Sequence, residues 1–348
     1  MAQFQHANYK LVDNDKIVRN DDAPKPTFQE DGEVLQEIQR YVQARIMTDF
    51  GFVELPIPDE DAKAATSILV SPDWQSSKKL LIIIQNASGS LMGIFSRSLC
   101  LDQGLSKGSM LVYIQRARDA GYAVMILRPN TNTVMTEDTP PQKLYIQGAE
   151  TPEAHAMFVW ENIIPRADGI PHIVLFGYGN GASLCKDLFL RQMVRSKQDE
   201  ADQNRIKGFV TIEASHILEE DDAADIKTAV GCMGVNMECK PHSRGFLLKY
   251  RAKIGVPTVC LGMPSDASGG SVQNVAASCH LALDPVFEYL KMTESVPHAD
   301  LSTSFVKTFA EKNGHNSGNA FVTVNPNADE DMPKSPKKAS APPAPPPK

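Results

Sequence analysis

The residues best placed to do chemistry form a strand, a tight turn and a helix start. They run His172-Ile173-Val174-Leu175-Phe176, then Gly177-Tyr178-Gly179-Asn180-Gly181, then Ala182 onward. That order is the setting of a nucleophile elbow, where small residues flank a serine held in a strained turn. The central position here is Gly179. Glycine has no nucleophilic atom, so acyl transfer through this position is excluded. A glycine-rich turn at a helix start could bind an anion instead. The spacing, however, is not G-x-G-x-x-G, and no Walker lysine comes after it. Tyr178 and Ser183 are nearby hydroxyls, but neither holds the elbow position.

Three further loops leave apolar runs. Gln85-Asn86-Ala87-Ser88-Gly89-Ser90 follows Leu80 to Ile84, Arg128-Pro129-Asn130-Thr131-Asn132 follows Ala123 to Leu127, and Glu213-Ala214-Ser215-His216 follows Gly208 to Ile212. The first stands where an oxyanion-hole loop would stand, and it reads equally well as an Asn/Ser/Gly turn. If these runs are parallel strands, the loops gather along one rim of the sheet, where such folds bind ligands. A lone carboxylate and histidine on such a rim, such as Glu213 and His216, are more often hydrogen-bonded turn residues than catalysts.

The elements that must position these loops emerge from the alternation. Apolar, β-branched runs at 66–70, 80–84, 123–127, 172–176, 208–212 and 257–261 are separated by helical patterns at 110–120, 154–164, 182–194 and 285–292. Strands apolar on both faces and separated by helices predict a doubly wound, mostly parallel sheet covered on both sides. Val34 to Phe50 reads as an amphipathic helix ahead of it. Residues 1–28 are polar and read as a flexible arm, 29–310 as the α/β domain, and 311–348 as a disordered Pro/Ala/Lys-rich tail. In that tail Ser335 before Pro336 is a candidate phosphorylation site beside a short basic patch.

Composition narrows the function classes. The chain has 348 residues, 42% of them apolar, and a net charge of −7. Whole-chain charge gives no sign of a nucleic-acid or membrane coat, so direct nucleic-acid contact is expected to be weak or absent. A local basic patch would be averaged out of that number. No run is long enough to span a membrane. The six cysteines are scattered and the first twenty residues are polar, which reads as reduced thiols in an intracellular, nuclear or cytoplasmic protein. Cys232-x6-Cys239-x2-His242 has the wrong spacing for zinc and lacks a fourth ligand, so no metal or cofactor is expected.

The loops together, in order from Tyr41 to Tyr289, resemble the argonaute-binding-protein-two domain family of α/β-hydrolase-like proteins. The resemblance is carried by Val53-Glu54-Leu55-Pro56-Ile57-Pro58, Asn86-Ala87-Ser88-Gly89, Gly93-Ile94-Phe95-Ser96-Arg97 and Arg128-Pro129-Asn130-Thr131-Asn132. Members commonly show His-Gly-Ser-Gly where this chain has Asn86-Ala87-Ser88-Gly89, and a histidine-serine elbow where it has Tyr178-Gly179. The family's Asp-x-x-His turn looks like Glu213 to His216. A histidine expected soon after the last strand is missing from Gly262 to Gly270. His280 comes later and reads as the start of the terminal helix. The resemblance implies a non-catalytic protein in RNA-linked silencing or cotranscriptional regulation, with argonaute, spliceosomal or chromatin proteins as partners. Two other readings remain open. One is a hydrolase using Ser88 or Ser183 with His216 and Glu213. The other is a pseudoenzyme whose rim, lined by Asn86, Ser88, Asn130, Tyr178, Asn180 and His216, holds a ligand.

Overall fold

The computed structural model describes residues 2–23, 28–86, 92–167, 169–198, 204–264 and 271–315. The chain opens with a two-stranded antiparallel hairpin, β1 (Tyr9–Val12) and β2 (Lys16–Arg19), followed by the long helix α1 (Phe28–Phe50). Then come β3 (Val53–Ile57), β4 (Thr66–Val70) and β5 (Lys79–Asn86). The short helices α2 (Arg97–Gln103) and α3 (Leu105–Gly108) and the longer α4 (Leu111–Asp119) lead to β6 (Ala123–Leu127). A second hairpin, β7 (Thr133–Met135) and β8 (Lys143–Tyr145), precedes α5 (Pro152–Phe158), which runs on as a π turn at Val159–Ile163. The remainder alternates β9 (His172–Gly179), α6 (Gly181–Gln198), β10 (Ile206–Ile212), α7 (Ala224–Met233), β11 (Gly234–Glu238) and β12 (Thr258–Cys260). Two helices close it, α8 (Ser271–Met292) and α9 (Leu301–Lys312).

Eight strands form one sheet in the order β12-β11-β10-β9-β5-β6-β4-β3. All neighbours pair parallel except at one edge, where β4 pairs antiparallel with both β3 and β6. The period-2 alternation of strand side chains explains the two cores. Leu81 and Ile83 of β5 face a cluster with α1, α4, α8 and α9, while Leu80, Ile82 and Ile84 face one with α5, α6 and α7. This is the α/β-hydrolase-like sheet, mostly parallel and covered by helices on both faces, that the alternation predicts.

Two expectations need correction. The segment read as a flexible arm carries the β1–β2 hairpin. Its turn uses left-handed Asp13 and Asn14 at φ 54° and 55°, a geometry those residues tolerate. Ile17 packs into the core, and Asp15 caps the start of α3 by accepting the Ser106 N–H at 2.6 Å and, through its carbonyl, the Leu105 N–H at 2.9 Å. A hairpin pinned by residues far along the chain leaves no periodicity in its own sequence. His280 lies inside α8 rather than at the start of the terminal helix, and α9 comes after it as the last described helix. The tail expected to be disordered, with Ser335, lies outside the described residues beyond His315.

Candidate functional site

The chain adds β6 to one side of β5 and then returns to place β9 on the other. The crevice between β5 and β9 is therefore the topological switch point, where doubly wound sheets place ligands. The last residues of the two strands face each other there, Asn86 paired with Gly179. The Gly177–Gly181 turn thus sits at the switch point, at the C-terminal end of β9.

The elbow backbone has kept its shape. Gly179 has φ +60°, the left-handed conformation that costs glycine little and other residues roughly 1–2 kcal/mol. Two residues earlier, Gly177 is required by contact. A Cβ there would come within 2.9 Å of the Ala182 backbone and 3.0 Å of Cys185 Sγ, so the first turn of α6 can press directly onto β9.

The side chains around this turn are committed to one another. Tyr178 is 7% exposed and points into the core, its ring 5.9 Å from Phe95 in an edge-to-face arrangement. Burial pushes its phenol far above the ordinary tyrosine range. Asn180 is exposed and accepts the Ser215 hydroxyl on Oδ1 at 2.5 Å, tying the loop after β9 to the loop after β10. Ser183 donates its hydroxyl to the Asn180 carbonyl at 2.8 Å, a local helix-start bond.

Glu213 comes directly after β10 and is itself left-handed, at φ +51°, an unfavourable conformation for a side chain of this kind. The twist carries its carboxylate to the end of β11, where Oε1 accepts the Cys239 N–H at 2.7 Å. Burial pushes this carboxyl up to about 7, against the lowering effect of that N–H. His216 turns the other way. Its Nε2 lies 2.8 Å from Glu219 Oε1, and its side chain is 38% exposed. Glu213 and His216 thus each take a different partner and do not form a catalytic pair in this arrangement. Asn130 lies in an exposed turn after β6. Ser88 and the side chain of Asn86 lie outside the described residues.

Behind Glu213 runs a polar row that no sequence motif announces. Thr211, Asn236 and Thr258 stand in register across β10, β11 and β12. Asn236 Oδ1 accepts the Thr211 hydroxyl at 3.0 Å and the Ala214 N–H at 3.2 Å. Its Nδ2 donates to Glu238 Oε1 at 2.8 Å. Glu238, 2% exposed, is also bound by Arg251 and lies 3.4 Å from Lys240 Nζ. The one hint was Gly234-Val235-Asn236-Met237-Glu238, whose alternation is strand-like but whose polar members hid a buried strand.

Residues 9–228 match the Arb2 domain family. That span is well over half of the 348 residues. The chain belongs to the Arb2 domain family. Among curated relatives, it is 26% identical over 220 residues to a protein named Cotranscriptional regulator ARB2A homolog from Xenopus tropicalis, covering 49% of this chain and 50% of the relative. It is 25% identical over 179 residues to Cotranscriptional regulator ARB2A of Mus musculus, covering 37% and 43%. A FAM172 family protein homolog of Caenorhabditis elegans is 25% identical over 158 residues, covering 43% and 48%. The chain therefore spans about half the length of these relatives. Among solved structures, a histone deacetylase from Saccharomyces cerevisiae superposes with a TM-score of 0.47 at 16% identity, over 75% of this chain and 97% of that one. A predicted CIB-like hydrolase from Thermoplasma acidophilum gives 0.39 at 11%, over 69% and 98%.

Proposed function

We propose that this Arb2 domain protein is a non-catalytic interaction module that acts in cotranscriptional or RNA-linked regulation in the nucleus or cytoplasm, through protein partners of the argonaute, spliceosomal or chromatin type. The observation that carries the loss of chemistry is Gly179 at the elbow, left-handed and without a nucleophile. Three further facts support it. Tyr178 fills the space beneath the turn, His216 is held outward by Glu219, and Ser183 is spent on Asn180. The regulatory role is supported by the names of the ARB2A relatives, each covered over about half its length or less.

A fluorophosphonate probe and a short-chain ester substrate test the reading. No labelling and no turnover above a heat-treated control are expected. Turnover abolished by Ser183→Ala or Ser88→Ala would overturn it and favour the unconventional hydrolase. Affinity purification from native cells tests the regulatory half. Recovery of RNA-processing or chromatin proteins is the expected result, and recovery of metabolic enzymes alone would count against it. Tyr178 packed under the rim weighs against a small-molecule pocket at that point.

A further inference from the structure

The connection between β11 and β12 differs from the rest of this acidic chain. It carries Lys240, Arg244, Lys249, Arg251 and Lys253, and no carboxylate occurs from Cys239 to Pro257. Glu238, buried beneath it, meets two of these cations, Lys240 and Arg251. Arg244 directs its guanidinium to the Leu261 and Leu281 carbonyls at 3.2 and 3.0 Å and over the Phe309 ring, so those contacts leave its charge uncancelled. Lys249 is exposed. The far end of the loop turns back to the acidic 219–222 segment, where the Ile217 and Leu218 N–H groups bond the Lys253 carbonyl. The cationic face is therefore the part from Lys240 to Arg251.

Aromatic rings are interleaved with those charges. Phe246 is 40% exposed and stacks on His242 with centroids 4.8 Å apart and planes 16° apart. His315 lies near-perpendicular to Phe246, with centroids 6.2 Å and planes 70° apart. Tyr250 is 38% exposed. This platform is rigid. Residues 246–248 pair antiparallel with β12, the Cys260 N–H bonding the Phe246 carbonyl and the Leu248 N–H the Thr258 carbonyl, each at 2.8 Å. The alternation of extended backbone sends Leu247 onto the core and Phe246 outward. His315 Nε2 adds bonds to the Arg244 carbonyl at 2.9 Å and Ser243 Oγ at 3.2 Å.

We infer that residues 240–251 form a binding surface for single-stranded nucleic acid. The four cations of this stretch are met by a single carboxylate among the described residues, Glu238. The surplus positive charge attracts the phosphates, while an exposed ring stacked on a second ring offers a flat face to an unpaired base. Preorganisation by β12 and His315 lowers the entropy lost on binding. The surface is independent of the rim and of whether the elbow is catalytic. It departs from the expectation drawn from the net charge of −7, an average in which a local patch disappears.

The test is fluorescence anisotropy of the full chain with fluorescein-labelled oligouridylate and oligothymidylate of about ten nucleotides. A duplex of equal length and a polyglutamate peptide serve as comparators. Both single strands should bind more tightly than the duplex. Phe246→Ala should weaken binding about tenfold. Lys249→Glu should weaken it for every sequence and reduce the slope of log affinity against log salt by about 1. Lys249 is exposed, so its variant should keep the unfolding midpoint. Phe246→Ala loses the His242 stack and should lower the midpoint slightly, so binding is measured well below both midpoints and the losses report binding. Tighter binding of the RNA strand would add contact with the 2′-hydroxyl to the same surface. Absence of binding, indifference to Phe246→Ala, or duplex bound as tightly as single strand would overturn the proposal. Polyglutamate binding that the oligonucleotides cannot displace would assign the surface to an acidic protein segment and overturn it as well.

Discussion

Glu213 and Glu238 stand at the ends of adjacent parallel strands, and the protein treats them in opposite ways. Glu238 is enclosed, bound by Asn236 and Arg251 with Lys240 close by. Glu213 is partly exposed, held in a left-handed turn by the Cys239 N–H and the Ser278 hydroxyl, and has no ion pair among the described residues. The difference originates in the loops that leave the two strands. The chain after β11 loops out and brings Arg251 back to the carboxylate, whereas the chain after β10 carries His216 away to Glu219. A paired carboxylate becomes a structural post. An unpaired one is pushed by burial to about 7, the range in which a general acid or base works, in a site with no nucleophile at its elbow.

The largest expected effect breaks the paired side. Arg251→Ala leaves Glu238 buried with only Lys240 nearby and should cost about 2–3 kcal/mol, because an uncompensated buried charge is strongly unfavourable. Urea unfolding measures it, and a loss below about 0.5 kcal/mol, the scale of an exposed pair, would mean that water reaches Glu238.

The next concerns the unpaired side. Glu213 titrates near 7 when folded and near its ordinary 4.5 when unfolded. The folded state therefore holds the extra proton between those values, and stability falls as pH rises through that window and is level above it. Partial exposure screens the effect to about 1–2 kcal/mol. Glu213→Gln should remove this slope and stabilise the protein at pH 8 by the same amount. A Gln variant with an unchanged pH profile would place the titration elsewhere.

Gly179→Ser puts a hydroxyl back at the elbow. It should cost about 1 kcal/mol for the left-handed conformation, visible as a lower thermal midpoint, and should still not label with fluorophosphonate. Labelling would show that a base is within reach after all. His216→Ala is expected to change stability by less than about 0.5 kcal/mol, as its pair with Glu219 is exposed. A larger loss would give His216 a role in the rim.

How far the sequence could be read depends on whether a residue's reason is local. The runs at 80–84, 123–127 and 172–176 are buried on both faces, so hydrophobicity alone marks them as strands. Gly179 and Glu213 are governed by their own left-handed backbone and Gly177 by Ala182 in the first turn of the helix that follows, so the turn and the loop were visible from nearby residues alone. β11 was not, because the polar side chains of Asn236 and Glu238 take Thr211, Thr258 and Arg251 as partners, residues outside the strand. The outward turn of His216 and the inward turn of Tyr178 were equally hidden. Tyr178 is decided by Phe95, which only the packed fold brings near, and His216 by Glu219 three residues on, in a turn whose conformation the sequence pattern does not specify.

The β1–β2 hairpin bears on how the protein can be cut. Asp15 fills the notch over Gly104, its carboxylate so close that a Cβ on that glycine would meet Oδ2 at 2.5 Å. Arg45 on α1 grips the Asn14 carbonyl at 3.2 Å from the other side. The hairpin is thus a wedge between α1 and the α2–α3 corner. An expression boundary drawn at α1, natural on a reading of 1–28 as dispensable, would pull the wedge out, strip the caps from Leu105 and Ser106, and expose the core residues against which Leu11 and Ile17 pack. Fragments starting there should aggregate more readily than those that retain the first twenty residues.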